Sequence, residues 1–517
     1  MNGLRYPGTI AAQDPERVAI TMAGSGEAVT FGALDAAANR LARTFRVLGL
    51  RNRDHVAISM ENRVEFVEVA WGAHYAGLHY TFFSTRLLPD EAAHIVNDSG
   101  SSAVVVSSGI AEQLLPGLRA RVDPQVRFLS VDGGTEGAEP IFELASASRG
   151  DPIPGALEGS DMLYTSGTTG RPRGVLRPFS GLPLGSTLTI GLLGEMLLGM
   201  GPGSIYLSPA PMYHAAPLRW VMDTMALGGS IVAMEHFDAE QVLAAIERYR
   251  VTHAQFVPTM FTRMLKLPAD VRQKYDLSSL RAVVHAAAPC PVDIKKAMFD
   301  WWGPIIHEYY AGTEANGLCW CGPEDWLAHP GTVGRALVGQ VHVVGDEGEE
   351  LGPGEEGAIY FGGGPAFEYH NDPAKTAEAH TRHGWSTMGD IGRLDEEGFL
   401  YLTDRKSDVV ISGGVNVYPQ EAENVLAGHP AVLDVAVFGI PDDDFGEEIL
   451  AVVSLVDPLA ASDALGTELI EYCRDRLAGV KCPRAVEFRQ ELPRTPSGKL
   501  VKRLLRDEYW KGHSRRI

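Results

Sequence analysis

The residue types best suited to chemistry are concentrated in one loop, residues 165–174, which reads TSGTTGRPRG. Glycines let backbone N–H groups approach an anion closely, hydroxyls add donors, and Arg171 and Arg173 supply positive charge. No Lys-Ser/Thr pair closes the loop before a helix, so it is not a Walker A loop. A polar turn is the alternative interpretation, but four hydroxyls and two arginines within ten residues favour a loop that grips triphosphate oxygens.

Further polar motifs follow downstream in a fixed order: YYAGTE at 309–314, Asp390 after a glycine, Arg405, and PRTPSGK at 493–499. Taken singly, each has an ordinary structural explanation. Thr-Glu after an aromatic pair is typical of a capping turn, Asp after Gly of a turn, and a lysine such as Lys499 of an exposed surface. Their order and spacing relative to the loop are what favour a function.

Together these motifs resemble those of the adenylate-forming superfamily, which includes acyl-CoA synthetases, nonribosomal adenylation domains and luciferases. The resemblance covers essentially the whole chain. It implies a set of ATP- and AMP-binding positions: Thr165, Ser166, Gly167, Thr168, Thr169, Gly170, Arg173, Ala287, Ala288, Pro289, Glu308, Tyr309, Tyr310, Gly312, Thr313, Asp390, Arg405 and Lys499.

The resemblance also implies individual roles for these residues. Thr313 would contact the α-phosphate and Tyr310 would stack on adenine, while Asp390 and Arg405 would bind the ribose. Glu314, together with Thr168 of the loop, would hold Mg²⁺, which prefers hard oxygen ligands and needs few from a protein when phosphates supply the rest. Lys499 would hold the substrate carboxylate and an α-phosphate oxygen together as charge shifts to pyrophosphate.

Other segments match the acyl pocket, the CoA site and the hinge of that superfamily. His214 resembles the residue that gates the acyl pocket. The resemblance places it in the catalytic set with Thr313, Glu314 and Lys499, although a lone histidine among apolar residues is often a core residue. The remaining positions implied are Tyr213, Ala215, Ala286 and Gly312 for the acyl pocket, Ser412, Gly413 and Gly414 for CoA, and Lys406 and Ser407 for the hinge.

The chain departs from the superfamily pattern at two positions. Arg173 stands where the phosphate loop usually has lysine, which keeps the charge but changes the hydrogen-bonding geometry. Ser407 stands at the hinge position, where aspartate or lysine is common, so the energetics of a hinge rotation would differ.

The bulk composition excludes several classes of protein. The chain has 517 residues, enough for two or more domains, and a formal net charge of -21, which argues against a nucleic-acid partner. Its most apolar stretch, 187–200, contains Glu195 and is too short for an integral membrane segment. Five cysteines without a CxxC pair favour a reducing cytoplasm. A homodimer is compatible with the sequence.

Apolar runs alternate with helical patterns along most of the chain. Strands are expected at Val56–Met60 and Ala103–Val106 and helices at 30–48 and 61–77, which predicts βαβ units and parallel sheets. A smaller pattern starts after residue 405, with a helix at 420–427 and strands at 435–438 and 450–454. The predicted fold is therefore α/β: a large N-terminal body, 1–405, and a smaller, mobile α+β lid, 406–517.

The resemblance implies an ATP-dependent acid–CoA ligase that works in two steps through an acyl-adenylate. A small-molecule carboxylic acid, ATP with Mg²⁺, and coenzyme A would give acyl-CoA, AMP and pyrophosphate. The small side chains at Ala215 and Ala286–Ala288 leave room for a fatty acid or a bulky alicyclic acid, such as a steroid or bile-acid side chain. The alternatives are an aryl-acid CoA ligase and a non-catalytic nucleotide-binding member of the same fold.

Overall fold

The structure is a computed structural model that describes residues 3–165, 172–412, 415–442, 444–494 and 500–511. The chain forms two compact units, each assembled from several segments. Unit 1 contains Met1–Gln255, Tyr275–Ala282 and Ala366–Ala377, and unit 2 contains Phe256–Lys274, Val283–Pro365 and Glu378–Ile517. The predicted boundary near Lys406 stays a prediction.

The described strands are numbered in chain order. They are β1 (Val18–Met22), β2 (Ala28–Thr30), β3 (His55–Ser59), β4 (His79–Phe82), β5 (Ser101–Val106), β6 (Arg127–Ser130), β7 (Glu139–Pro140), β8 (Ser160–Asp161), β9 (Leu163–Thr165), β10 (Arg173–Leu176), β11 (Ile205–Ser208), β12 (Ser230–Ala233), β13 (His253–Phe256), β14 (Ala282–His285), β15 (Ile306–Tyr310), β16 (Leu318–Cys321), β17 (Arg335–Val338), β18 (Gln340–Val344), β19 (Gly357–Gly362), β20 (Glu368–Tyr369), β21 (Asp390–Leu394), β22 (Leu400–Arg405), β23 (Val410–Ser412), β24 (Val415–Val417), β25 (Val432–Asp442), β26 (Gly446–Leu455) and β27 (Ala485–Phe488).

The described α-helices are numbered in the same way. They are α1 (Pro7–Ala11), α2 (Phe31–Val47), α3 (Val64–Tyr75), α4 (Pro89–Ser99), α5 (Ser108–Arg119), α6 (Ile141–Ser146), α7 (Gly191–Leu198), α8 (Ala215–Ala226), α9 (Ala239–Tyr249), α10 (Pro258–Leu265), α11 (Ala269–Gln273), α12 (Val292–Trp302), α13 (Pro323–Ala328), α14 (Pro373–Ala379), α15 (Pro419–Ala427), α16 (Asp463–Arg474) and α17 (Lys502–Tyr509).

Unit 1 is built on parallel sheets. One has the strand order β7-β6-β5-β3-β4-β8 with every pair parallel, and another has β13-β11-β12-β1, also parallel, with β2 antiparallel at its edge. Central strands such as β3 and β5 are buried along nearly their whole length, as is typical of parallel strands with both faces covered. A small antiparallel sheet, β20-β10-β9, carries the two flanks of the phosphate loop.

Unit 2 contains mixed and antiparallel sheets. Its β14 and β15 are parallel, with β16 and β17 added antiparallel. A second sheet, β18-β19-β21-β22, is antiparallel throughout. The third has the order β24-β23-β26-β25, with β27 parallel to β26, and packs its apolar face on α15 and α16 around residues such as Val437, Ala451 and Leu469.

The predicted fold class is confirmed, and most of the predicted elements occur within a residue or two of their expected bounds. The helix α2 begins where the Thr30 hydroxyl accepts a hydrogen bond from the N–H of Ala33 at 3.2 Å, as an N-cap should. The predicted helix 61–77 begins later, at Val64. Asn62, two residues before the helix, is held elsewhere, since its side-chain amide donates to the carbonyls of Ala210 and Met234 at 3.0 and 2.8 Å.

Two further features bear on the chemistry. In the part of the chain that the structure describes, no helix is long and apolar enough to cross a membrane.

All five cysteines are free thiols. Burial raises the pKa of Cys319, Cys321 and Cys473 to about 12, and it also raises the pKa of Cys290 and Cys482.

Candidate functional site

The predicted adenine-binding residues of unit 2 follow two neighbouring parallel strands. The strands β14 and β15 are in register, with His285 opposite Glu308. Residues 286–289 continue from β14, and Tyr309 and Tyr310 end β15. Ligands of open α/β sheets bind beyond the carboxyl ends of the strands, which is where these residues lie. Ala287 has a φ of +77°, a left-handed conformation that costs a non-glycine residue roughly 1–3 kcal/mol.

A buried charged cluster lies beneath these strand ends. The Nζ of Lys295, on α12, donates to Oε2 of Glu308 at 2.6 Å, and Nε2 of His285 lies 3.3 Å from the same oxygen. Burial alone would raise the pKa of the Glu308 carboxyl, but His285 and Lys295 lower it to about 2. Burial lowers the pKa of His285. Both cationic side chains thus engage Oε2 of the Glu308 carboxylate inside the protein.

Tyr310, Asp390 and Arg405 meet although they are distant in sequence. The Tyr310 hydroxyl donates to Oδ2 of Asp390 at 2.6 Å, and Nε of Arg405 lies 3.4 Å from Oδ1 of Asp390. Asp390 and Arg405 face each other across the antiparallel pair β21–β22. Burial and the adjacent Asp390 raise the pKa of Tyr310 well above its usual value. Three residues with predicted adenosine roles thus form one connected group.

The side chains of Met388 and Glu314 pack closely on Gly312. A Cβ atom added to Gly312 would lie 2.2 Å from Sδ of Met388 and 2.6 Å from Oε2 of Glu314. The side chain of Glu314 therefore lies directly against the backbone that precedes Thr313. Among the described residues, no group of three or more His, Cys, Asp or Glu side chains is arranged to hold a metal. One carboxylate oxygen from Glu314 nevertheless fits a Mg²⁺ ion that takes its other ligands from phosphates and water.

In unit 1, the phosphate loop lies between the antiparallel strands β9 and β10, which pair Thr165 with Arg173. Nε of Arg173 lies 3.7 Å from Oδ2 of Asp372, and its guanidinium group is 5.9 Å from the ring centre of Tyr369. The predicted positions Ser166, Gly167, Thr168, Thr169 and Gly170 lie outside the described residues. The structure thus describes the two flanks of the loop.

A buried carboxylate connects this loop to the helix that follows His214. Asp161, just before β9, forms ion pairs with Arg177, just after β10, and with Arg219 on α8. Nη2 of Arg219 lies 2.8 Å from Oδ2 of Asp161. Burial alone would raise the pKa of Asp161, but the two guanidinium groups lower it to about 2. Asp161 therefore joins the base of the phosphate-loop hairpin to α8.

The predicted acyl-pocket residues of unit 1 lie at the beginning of α8. His214 is its N-cap residue, and Ala215 is its first residue. The ring of His214 is 4.6 Å from that of Tyr213, measured between ring centres. Tyr213 is buried, and burial raises the pKa of its hydroxyl. The structure thus places these three residues together.

The predicted hinge and CoA residues belong to unit 2. The N–H of Lys406 donates to the carbonyl of Gly389 at 3.0 Å, and the Ser407 carbonyl accepts from Nη1 of Arg506 at 3.3 Å. Ser412 ends β23 and is buried. The predicted positions Gly413, Gly414 and Lys499 lie outside the described residues.

Sequence reasoning did not identify Lys295, Asp161, Arg177 or Arg219. A signal for Lys295 was available, because it sits between Ile294 and Met298 on the apolar face of α12, where a lysine is rare unless it is paired. No such signal exists for the arginines, whose partner is set by the tertiary fold.

Known proteins resemble this chain over most of its length. The AMP-binding enzyme family matches residues 9–368, and the AMP-binding enzyme C-terminal domain matches residues 421–499. Similar curated proteins include the long-chain-fatty-acid–CoA ligase FadD13 of Mycobacterium tuberculosis, 33% identical over 93% of each chain. Feruloyl-CoA synthase of Amycolatopsis is 34% identical over 96% of this chain and 97% of its own.

The name of a third relative describes a fused-ring acid as its substrate. It is the 3-[(3aS,4S,7aS)-7a-methyl-1,5-dioxo-octahydro-1H-inden-4-yl]propanoyl:CoA ligase of Rhodococcus jostii, 34% identical over 89% of this chain and 90% of its own. Among solved structures, ATP-bound MatB of Rhodopseudomonas palustris has a TM-score of 0.81 at 28% identity, covering 98% of this chain and 100% of its own. The chain therefore belongs to the AMP-binding enzyme family, in the adenylate-forming superfamily, and is of the acyl-CoA synthetase type.

Proposed function

We propose that this protein is an ATP-dependent acid–CoA ligase that converts a fatty acid or a bulky alicyclic acid to its CoA thioester. In the first step the carboxylate attacks the α-phosphate of ATP, forming acyl-AMP and releasing pyrophosphate. In the second step the CoA thiolate attacks the acyl carbon, and AMP leaves. The observation that carries the proposal is the contact of Tyr310 and Arg405 with Asp390, since these three residues have adenosine-binding roles in the superfamily.

The residues of this chain have defined tasks in that reaction. Tyr310, Asp390 and Arg405 would hold the adenosine, and Thr313 would contact the α-phosphate. Mg²⁺ would be held by Glu314 and Thr168, where it would offset phosphate charge. Lys499 would donate to the carboxylate and the α-phosphate as pyrophosphate leaves.

The second step would use residues near the beginning of the lid, whereas Lys499 lies near its C-terminal end. We infer that the lid, residues 406–517, turns at Lys406 and Ser407 and brings Ser412, Gly413 and Gly414 to the pantetheine arm of CoA. Two glycines in succession allow a narrow arm to pass beside the backbone. A cytoplasmic location and a homodimer stay predictions from the sequence.

The choice of acid rests on the small residues of the predicted pocket and on two relatives. Ala215 and Ala286 have small side chains, and the named substrates of the relatives include a long-chain fatty acid and a fused-ring propanoate. An aryl acid is the second candidate, because feruloyl-CoA synthase is equally similar in sequence.

Pyrophosphate release across a panel of acids tests the proposal directly. We expect ATP- and Mg²⁺-dependent release with long-chain fatty acids or alicyclic propanoates, and acyl-CoA only when CoA is added. Benzoates and cinnamates should react at least tenfold more slowly; a reversed order would identify an aryl-acid ligase. If ATP binds but no acid supports pyrophosphate release, the protein is a nucleotide-binding member of the fold without ligase activity.

A further inference from the structure

The buried cluster of His285, Glu308 and Lys295 is costly to maintain. His285 and Lys295 have no exposed surface and Glu308 is 5% exposed, so an ammonium and a carboxylate are both removed from water. The Nζ of Lys295 also lies 4.9 Å from the ring centre of Trp326. Replacing a buried ion pair with well-packed apolar residues is often neutral or stabilising. Stability alone therefore does not explain why these residues occupy the interior.

The position of the cluster suggests a different role. His285 is the last residue of β14 and Lys295 lies in the first turn of α12, so the two residues bracket the segment 286–291. Both contact the same carboxylate oxygen of Glu308, which comes from the neighbouring strand β15. One carboxylate thus ties both ends of this segment to the strand that carries Tyr310.

The bracketed segment contains a strained residue. Ala287 has a φ of +77°, and such a conformation persists only where the surrounding structure enforces it. The predicted ATP- and AMP-binding positions Ala287, Ala288 and Pro289 all lie within this segment, and the superfamily resemblance implies that it packs on the adenine. Shape recognition of a base depends on backbone groups held to within about half an ångström.

We propose that Lys295 and Glu308 are positioning residues that give the nucleotide site its preference for adenine. The inference rests on the proposed adenosine site. The ion pair fixes segment 286–291 against β15, so that the base-contacting backbone and Tyr310 keep one relative position. Without it, the segment relaxes and accepts other purines more readily.

The test compares the affinities of the full-length protein for ATP and GTP by titration calorimetry. The wild type should bind ATP more tightly than GTP. Lys295→Met should reduce the ratio of ATP affinity to GTP affinity at least tenfold, mostly through weaker ATP binding. Lys296→Met is the matched control, since Lys296 is the exposed neighbour on the same helix, and it should leave the ratio unchanged. The ratio does not depend on how much of each preparation is folded, because both nucleotides are titrated into the same sample.

A double variant separates positioning from stability. Lys295→Met leaves the buried Glu308 charge without its ammonium partner, so the melting temperature should fall as well. Lys295→Met/Glu308→Gln removes that unpaired charge and should recover melting temperature while the ATP/GTP ratio stays low. A ratio that recovers together with the melting temperature would overturn the proposal, as would a wild-type ratio in Lys295→Met.

Failure of the ligase assignment gives a different result. A wild type that binds ATP selectively but releases no pyrophosphate with any acid would refute the ligase and still allow the ratio to be measured. A wild type without preference for ATP would refute the positioning role, even if the ligase reaction proceeds.

Discussion

Lys499→Ala is expected to slow formation of the acyl-adenylate by ~10²–10³-fold, the usual cost of removing one charge-stabilising donor from a transition state. Conversion of supplied acyl-AMP and CoA to acyl-CoA should change less than threefold, because pyrophosphate departure is not part of that step. Single-turnover pyrophosphate release and thioester formation from synthetic acyl-AMP measure the two steps separately. Lys499 lies outside the described residues. Arg494 and Leu500, which stand before and after it in the sequence, form an isolated antiparallel β-bridge.

The control for this variant is Lys511, an exposed lysine of the same C-terminal tail. Lys511→Ala should leave both half-reactions within twofold of the wild type. An equal loss of both half-reactions in Lys499→Ala would contradict a role confined to adenylation.

Gly414→Leu is expected to show the opposite pattern, with acyl-AMP forming normally and thioester formation slowed.

Asp161→Ala should destabilise the protein by about 3–5 kcal/mol, because it leaves Arg177 and Arg219 partly buried without their common partner. Urea denaturation followed by tryptophan fluorescence measures the loss. Asp151→Ala is the matched control, since Asp151 also pairs with two arginines, Arg43 and Arg149, but at the exposed surface. We expect little change in its urea midpoint. Equal effects of the two variants would contradict the importance of burial.

The pH dependence of the same carboxylate has a defined sign. Its pKa is lowered from 3.8 to about 2 in the folded protein, so the unfolded chain binds the proton more readily. The stabilisation is complete above the unfolded value and is lost as the pH falls through about 2. Wild-type stability should therefore fall between pH 4 and 2 more steeply than that of Asp161→Ala, and parallel profiles would contradict the assignment.

The sequence predicted the parallel body well, because buried parallel strands such as Val104–Val106 and amphipathic helices such as α2 have strong local patterns. It also predicted, by resemblance, the residues that meet around Asp390. It did not predict the contact of Lys295 with Glu308 or the ion pair of Arg219 with Asp161. Their roles depend on which helix packs on which strand, and a local pattern contains no information on long-range pairing. The start of α3 was misplaced for the same reason, since Asn62 bonds to distant carbonyls.

The cysteines have a consequence for an enzyme that makes an activated acyl group. The thiolate, not the thiol, is the nucleophile, and a pKa of about 12 at Cys319, Cys321 and Cys473 leaves only about one thiolate in ten thousand at pH 8. Burial raises the pKa of Cys290 and Cys482 in the same direction. A mixed anhydride of the substrate acid therefore meets few competing sulfur nucleophiles on the protein that forms it. Acyl transfer to a cysteine of the protein is therefore disfavoured relative to transfer to a thiol that arrives from solution.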